Sequence, residues 1–228
     1  MPENKRLTWD QDGQRYYETG CDRGVFYPKT GATYGAGEAW DGLISVTKSP
    51  SGAEATPLWA NNRKYGNLYS AEEFGFSMEC YTHPDGFNAC LGVKEIADGV
   101  FAGQQAHEPF GMCYRNFVGD DAKGTKANYI ITLIYGAMAA PAEETDTGIN
   151  DSPEAKTMSY ECTTTPVEVK DSTTGADLCE PTSKLEIDSR KVDATKLKAL
   201  EDILYGSETA AARLPLPTEV ADLIGTAG

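Results

Sequence analysis

The residues that could carry chemistry in this chain are few, and their spacing is unfavourable. Its two histidines are His83 and His107, and neither lies in a zinc-protease motif, nor does the chain contain a Gly-x-Ser-x-Gly nucleophile motif. Cys80 and His83 form a Cys-x-x-His pair near Cys90, but a zinc site requires a second matched pair, and none follows. The sequence therefore predicts no metal and no cofactor.

Three glutamates, Glu72, Glu73 and Glu79, are the candidates for a pair of hydrolytic carboxylates. Carboxylates on one face of a strand, two residues apart, lie about 7 Å from each other, which suits glycoside hydrolysis. Glu73 and Glu79 are six positions apart, roughly 20 Å in a strand, and Glu72 points to the opposite face from Glu73. This spacing does not suit the mechanism, and we expect the chain not to be an enzyme.

These glutamates belong to a segment that alternates regularly from Glu73 to Tyr81, as a strand with one buried face does. Its polar face holds Glu73, Gly75, Ser77, Glu79 and Tyr81, and its apolar face holds Phe74, Phe76, Met78 and Cys80. The polar face thus carries carboxylates and no base.

Composition restricts the possible partners. The chain has 228 residues, a net charge of -15 and a pI near 4.5, so direct binding to nucleic-acid phosphates is not expected. No signal peptide and no run of about 18 apolar residues is visible. We therefore expect synthesis in a cytosol without membrane insertion. The six cysteines lack paired spacing and are interpreted as small buried hydrophobic residues.

The pattern predicts one mainly β domain over residues 25–206. Residues 39–47, 110–118, 128–138 and 184–189 are predicted to be strands, and the run 128–138, apolar on both faces, a central strand. Residues 157–169 alternate and also predict a strand, with Ser159, Glu161 and Thr163 on its polar side. Residues 193–205 are predicted to form a helix, with Asp193 as N-cap and Gly206 at its end. Its core face consists of Leu197, Leu200, Ile203 and Leu204.

Residues 48–68 are predicted to be a long loop that projects from the domain. Loops of this length inside a compact domain are usually functional or disordered. The apolar residues of this loop and its edge argue against disorder and indicate contact with another surface: Leu58, Trp59, Tyr65, Leu68 and Tyr69.

Both ends of the chain are predicted to be arms, spanning residues 1–24 and 207–228. Each is polar or proline-rich but carries apolar contact candidates, which are Leu7, Trp9, Tyr16 and Tyr17 at one end and Leu214 and Leu216 at the other. Such an arm can dock on a neighbouring copy or on its own domain, and the sequence leaves both possibilities open. Together with the long loop and the acidic strand face, the arms suggest a subunit that polymerises.

Several blocks of the sequence resemble the major tail protein, or tail tube protein, of long-tailed siphoviruses. The resemblance covers nearly the whole chain except 167–183, and the blocks are LTWD (7–10), the run 17–28, GATYGAGEAWDGL (31–43), SPSGAEATPLWANNRKYGNL (49–68), SAEEFGFSMECYTHPDGF (70–87), GQQAHEPFGMCYR (103–115), NDSPEA (150–155), IDSRKVDATKLKALEDILYG (187–206) and ARLPLP (212–217).

The resemblance implies a β-sandwich with one flanking helix, six copies of which form a ring around a continuous inner β-barrel. The rings would stack, through the long loop and the arms, into the tail tube of a virion assembled in a bacterial host. DNA would pass through the acidic lumen without specific binding, and Glu73, Ser77 and Glu79 are the lumen-facing candidates. Partners would be further copies, the tape measure, the tail terminator and the distal tail protein. A monomeric carbohydrate-binding β-sandwich and a capsid decoration subunit are the alternatives.

Overall fold

The computed structural model describes residues 6–149 and 154–225. The prediction of a mainly β chain is confirmed. The ends of the predicted arms, 1–5 and 226–228, and part of the NDSPEA block, 150–153, lie outside the described residues. The strands and helices have the following bounds: β1 Tyr16–Thr30, β2 Thr33–Tyr34, β3 Glu38–Ala39, β4 Leu43–Lys48, β5 Ser51–Gly52, β6 Ala55–Ala60, β7 Arg63–Tyr69, β8 Glu72–Glu73, β9 Gly75–Cys80, a 3-10 helix Asp85–Leu91, β10 Lys94–Ala97, β11 Val100–Ala102, β12 Phe110–Asp120, β13 Gly124–Ala139, β14 Met158–Thr164, β15 Val167–Lys170, β16 Asp177–Thr182, β17 Lys184–Asp188, α1 Ala194–Tyr205 and α2 Pro217–Ile224.

A large antiparallel sheet of nine strands organises the part of the chain that is described. Its strand order is β2-β1-β12-β13-β14-β9-β4, with β3 pairing with β1 and β17 pairing with β13. The short connection between β3 and β4 joins the two ends of this order, because Ala39 pairs with Val25 while Leu43 pairs with Cys80. The sheet therefore curls around its own interior. The predicted central strand is confirmed, since β13 pairs with β12, β14 and β17.

The interior of the curled sheet is an aromatic core centred on Phe87 of the 3-10 helix. Its ring lies 4.7 Å from that of Trp40, 5.2 Å from Phe110 and 5.3 Å from Tyr160, measured between centroids. These rings come from separate strands and loops, so the 3-10 helix packs against several parts of the curled sheet at once. Edge-to-face pairs of this kind add stability beyond the area they bury.

A second core lies between the outer side of the sheet and the two α-helices. It is built from side chains of β1, β12, β13 and β17 on one side and α1, α2 and the segment before α2 on the other. β1, β12 and β13 are therefore covered on both faces. This explains why residues 128–138 of β13 are mostly apolar on both faces of the strand.

The predicted helix at 193–205 is confirmed as α1, which spans Ala194–Tyr205. Asp193 accepts hydrogen bonds from the backbone N–H groups of Thr195 and Lys196, at 2.9 and 3.3 Å, and these bonds hold the pKa of its carboxyl below the ordinary value. The predicted core residues Leu197, Leu200 and Leu204 are buried, and Ile203 is half-buried.

The boundary of the N-terminal arm is wrong, and the structure selects one of the two docking possibilities left open for the C-terminal arm. Residues 16–24 are not an arm, because β1 begins at Tyr16 and pairs with the long strand β12 from Asp120 onwards. At the other end, Leu214 is buried in the second core, and Tyr135 donates a hydrogen bond of 3.0 Å to the carbonyl oxygen of Pro215. The described part of the C-terminal segment thus docks on its own domain.

The expectation of a single flanking helix was also incomplete. α2 begins at Pro217, where the missing N–H of proline is tolerated because it would be unpaired in any helix. The sequence pattern predicts a proline-rich arm in this region, whereas its last proline starts a helix. In the described residues, no helix has the length and apolar character needed to cross a membrane.

Candidate assembly surfaces

The outward side of β4, β9 and β14 forms a polar surface, which we call the hydroxyl face. It consists of Ser45, Thr47, Ser77, Glu79, Ser159, Glu161 and Thr163, while the alternating residues Phe76, Met78, Cys80, Tyr160 and Cys162 are buried behind it. The predicted two-faced strand is therefore confirmed for residues 75–80. The surface is predominantly Ser and Thr, with two carboxylates and no base.

Cross-strand pairing places each carboxylate of this face between hydroxyl groups. Glu79 lies between Ser159 and Ser45, and Glu161 is paired with Ser77, which in turn faces Thr47. The Ser45 hydroxyl donates a hydrogen bond of 3.1 Å to Oε2 of Glu79. Both carboxylates are exposed. The face therefore presents negative charge and hydrogen-bonding oxygens to its surroundings.

Two of the three lumen candidates lie on the hydroxyl face, and Glu73 does not belong to its ladder. Glu73 pairs with Ser51 in a separate two-residue ladder between β5 and β8. Phe74 interrupts the strand there, and its carbonyl oxygen accepts a hydrogen bond of 2.6 Å from the Thr164 hydroxyl. Glu161 was not among the candidates, although the alternation of 157–169 already placed it on the polar side.

The predicted long loop is a β-hairpin. β6 and β7 pair from Ala55 with Tyr69 to Ala60 with Arg63, and the turn is Asn61-Asn62, with φ of 49° and 57°. Asparagine tolerates this left-handed backbone better than most residues, as a two-residue hairpin turn requires. The Asn-Asn pair was the sequence signal for the turn. Alternation gave no signal, because neither face of this hairpin is buried.

The β6–β7 hairpin is exposed along its length. Every residue of β6 is exposed, and so is every residue of β7 except Gly66. Its five predicted contact residues have large exposed fractions: Leu58 44%, Trp59 69%, Tyr65 79%, Leu68 62% and Tyr69 64%. Tyr65 lies at a register shift between the pairs Leu58 with Gly66 and Trp59 with Lys64. A lone two-stranded hairpin is marginally stable in water.

A second exposed apolar hairpin, β10–β11, was not predicted. Ile96, Val100 and Phe101 are 66%, 49% and 55% exposed, and Glu95 accepts a hydrogen bond of 2.8 Å from the backbone N–H of Gly99 in its turn. The strands of this hairpin have four and three residues. That is too short for alternation to be recognised in the sequence.

The N-terminal contact candidates are also exposed. Leu7 and Trp9 are 72% and 73% exposed and precede the first strand, while Tyr16 and Tyr17 lie at the start of β1. The Arg190 guanidinium lies 4.7 Å from the centre of the Tyr16 ring. Of the C-terminal candidates, Leu214 is buried and Leu216 is 36% exposed.

The two histidines lie within hydrogen-bonding distance of neighbouring groups, and four of the six cysteines are buried. Tyr160 and Asn88 flank the His83 ring at hydrogen-bonding distances of 3.1 and 3.2 Å, and Nδ1 of His107 lies 3.1 Å from the Ala139 carbonyl oxygen. The cysteine prediction is confirmed for Cys80, Cys90, Cys113 and Cys162, which are buried, and is wrong for Cys179, which is exposed. Burial raises the pKa of the Cys113 thiol to about 12.

No cluster of three or more potential metal ligands occurs among the residues that the structure describes. Comparison with known protein families found no matching family model, and comparison with curated proteins found no significant match.

Proposed function

We propose that this chain is a major tail protein, the structural subunit of a non-contractile phage tail tube. Copies close into hexameric rings, and the rings stack into a tube in the virion tail through which DNA is ejected. The β6–β7 hairpin carries the proposal. It presents five large apolar side chains to solvent on a ribbon with little stability of its own.

Exposed apolar surface of this extent favours an assembled state over an isolated monomer. Contiguous exposed apolar patches are small on most monomeric proteins, and larger ones mark interaction sites. Here they occur in three separate places, namely the β6–β7 hairpin, the β10–β11 hairpin and the segment containing Leu7 and Trp9. Several interfaces per subunit are what a lattice of identical copies requires.

The hydroxyl face supports the proposed channel. If this face lines the lumen, a passing DNA molecule meets hydroxyl groups together with the carboxylates of Glu79 and Glu161. DNA binds proteins strongly when basic groups replace its condensed counterions, and this face offers none. Repulsion between like charges would keep the polymer away from the wall.

The carbohydrate-binding alternative receives less support from the hairpin. Trp59 pairs with Lys64 near the tip, whereas Tyr69 pairs with Ala55 at the base. Four residues of strand separate the two levels, about 13 Å, which is too far for both rings to stack on one sugar. A capsid decoration subunit also needs exposed interfaces, and the location of the protein on the particle would distinguish it.

The test is assembly of the purified full chain, followed by electron microscopy and analytical ultracentrifugation over a range of concentrations. We expect hollow tubes or rings. Replacing residues 55–69 by a short Gly-rich turn should abolish stacking while the circular dichroism of the remaining fold persists. The matched control shortens the exposed turn 171–176 between β15 and β16, which should leave assembly intact. Monomers at all concentrations, with no incorporation into tails, would rule out the proposal.

A further inference from the structure

The two exposed hairpins follow opposite ends of one pair of strands along the chain. The β6–β7 hairpin is inserted between the end of β4 at Lys48 and the start of β9 at Gly75. The β10–β11 hairpin follows the end of β9 at Cys80, after the 3-10 helix, and Cys80 pairs with Leu43 at the start of β4. Because β4 and β9 are antiparallel, the chain leaves this ladder for the first hairpin at one end and for the second hairpin at the other.

Both hairpins are two-stranded ribbons with exposed apolar side chains. The first hairpin exposes Leu58, Tyr65 and Leu68, and the second exposes Val100 and Phe101. Each ribbon forms its own two-stranded sheet, separate from the large sheet. Burying one against the other would remove apolar surface of both from water, which is the main source of association free energy.

Charge distinguishes the two hairpins. Residues 55–71 contain Arg63 and Lys64 and no acidic residue, although the chain as a whole has a net charge of -15. The β10–β11 hairpin carries Glu95 and Asp98 beside a single base, Lys94, and all three are exposed. A contact between two β6–β7 tips would oppose like charges, whereas a contact between the two different hairpins would pair opposite ones.

We infer that the β6–β7 hairpin of one copy docks on the β10–β11 hairpin of a second copy, head to tail. This inference rests on the proposed function and names the receiving surface for the stacking contact. A contact between unlike surfaces is heterologous, and it repeats as an open stack when the rotation between copies does not close a ring. Arg63 and Lys64 then face Glu95 and Asp98 of the neighbour, so charge fixes the direction of stacking.

Charge exchange tests this docking in the full chain. The variant R63E/K64E should raise the protein concentration needed for stacking by about tenfold or more, because attraction becomes repulsion. The variant E95K/D98K should have the same defect. The chain that carries all four substitutions should stack again, since the charges are complementary once more. The control K123E/K126E, at exposed positions in the β12–β13 turn and the start of β13, changes net charge as R63E/K64E does and should stack normally.

Zero-length carbodiimide cross-linking of unmodified protein gives an independent measurement. Mass spectrometry should find Lys64 joined to Glu95 or Asp98 of another copy in the assembled fraction and not in the monomer fraction. Tubes without this cross-link, together with no rescue by the fourfold variant, would overturn the docking while leaving the proposed tube intact. Persistent monomers of the unmodified chain would overturn both.

Discussion

The carboxylate of Asp22 in β1 accepts two hydrogen bonds, each of 2.8 Å, from the guanidinium group of Arg115 in β12. The register of the β1–β12 ladder shifts on both sides of Asp22. The guanidinium carbon also lies 4.7 Å from the centre of the Tyr129 ring and 5.0 Å from that of Phe117. A charged, bidentate contact thus holds the irregular part of this ladder, where backbone pairing is interrupted.

Removing this pair should destabilise the monomer. Asp22→Ala leaves the largely buried Arg115 guanidinium without its partner, and we expect a loss of about 1–3 kcal/mol, as for hydrogen bonds to charged groups. Urea unfolding followed by circular dichroism measures it. Arg15→Ala breaks the more exposed contact between Arg15 and Asp121 and should cost less than about 1 kcal/mol. Equal losses in the two variants would contradict the role assigned to Asp22.

Tyr27 should anchor the end of α1 to the sheet. Its buried hydroxyl donates a hydrogen bond of 2.6 Å to the carbonyl oxygen of Leu204, and burial raises the pKa of this phenol well above its ordinary value. Tyr27→Phe leaves that carbonyl without this donor and should cost about 1–3 kcal/mol. Tyr17→Phe, which removes only an exposed hydroxyl contact with Thr125, is the matched control. A thermal melt of each variant measures the difference, and a larger shift for the control would argue against the anchor.

Much of the fold could be predicted because buried positions are occupied by apolar residues at regular intervals in the sequence. Residues 75–80 alternate since one side faces the core, and residues 128–138 are apolar throughout since β13 is covered on both faces. The helix at 194–205 combines an N-cap with an apolar stripe. In each of these segments, local sequence and tertiary surroundings favour the same structure.

The assembly surfaces were harder to predict because they lack that pattern. The β6–β7 hairpin has no buried side, so its apolar residues follow neither a period of two nor one of 3.6. The pairing of Glu73 with Ser51 depends on the residue at which a long-range ladder ends. The alternation of residues 73–81 gives no information about that residue. The mistaken N-terminal boundary has a similar cause, since β1 extends to Tyr16 only because β12 continues to Asp120.

Acid should weaken the fold through Glu186. Partial burial alone would raise the pKa of this carboxyl, but a hydrogen bond and attraction from Lys48, with a contribution from Lys184, hold it below the ordinary value of 4.5. Because the pKa is lowered in the folded state, the stabilisation is complete above the ordinary pKa of 4.5. It is lost as the pH falls through the lower pKa of the folded state. Urea unfolding between about pH 7 and about pH 3 measures this loss.

The variant Glu186→Gln assigns this pH dependence to a residue. It removes the carboxyl that titrates, so the difference in unfolding free energy between neutral and acidic solution should become smaller than in the unmodified chain. Between about pH 6 and about pH 8 the carboxyl of Glu186 stays ionised, so the profiles of the two proteins should run parallel there. An unchanged acid slope in the variant would mean that other carboxyls carry the effect.

The accessibility of Glu79 should distinguish a lumen wall from an outer surface. A cysteine at this position, E79C in a C179S background without the exposed native thiol, can be treated with a maleimide attached to a folded protein too large to enter the tube. D202C, on the exposed side of α1 where Lys198 reaches Asp202, is the matched control. If the hydroxyl face lines the lumen, E79C reacts in unassembled subunits and is shielded in tubes, while D202C reacts in both. Equal labelling of the two positions in intact tubes would place Glu79 outside, and the carboxylates of the hydroxyl face would then have no contact with passing DNA.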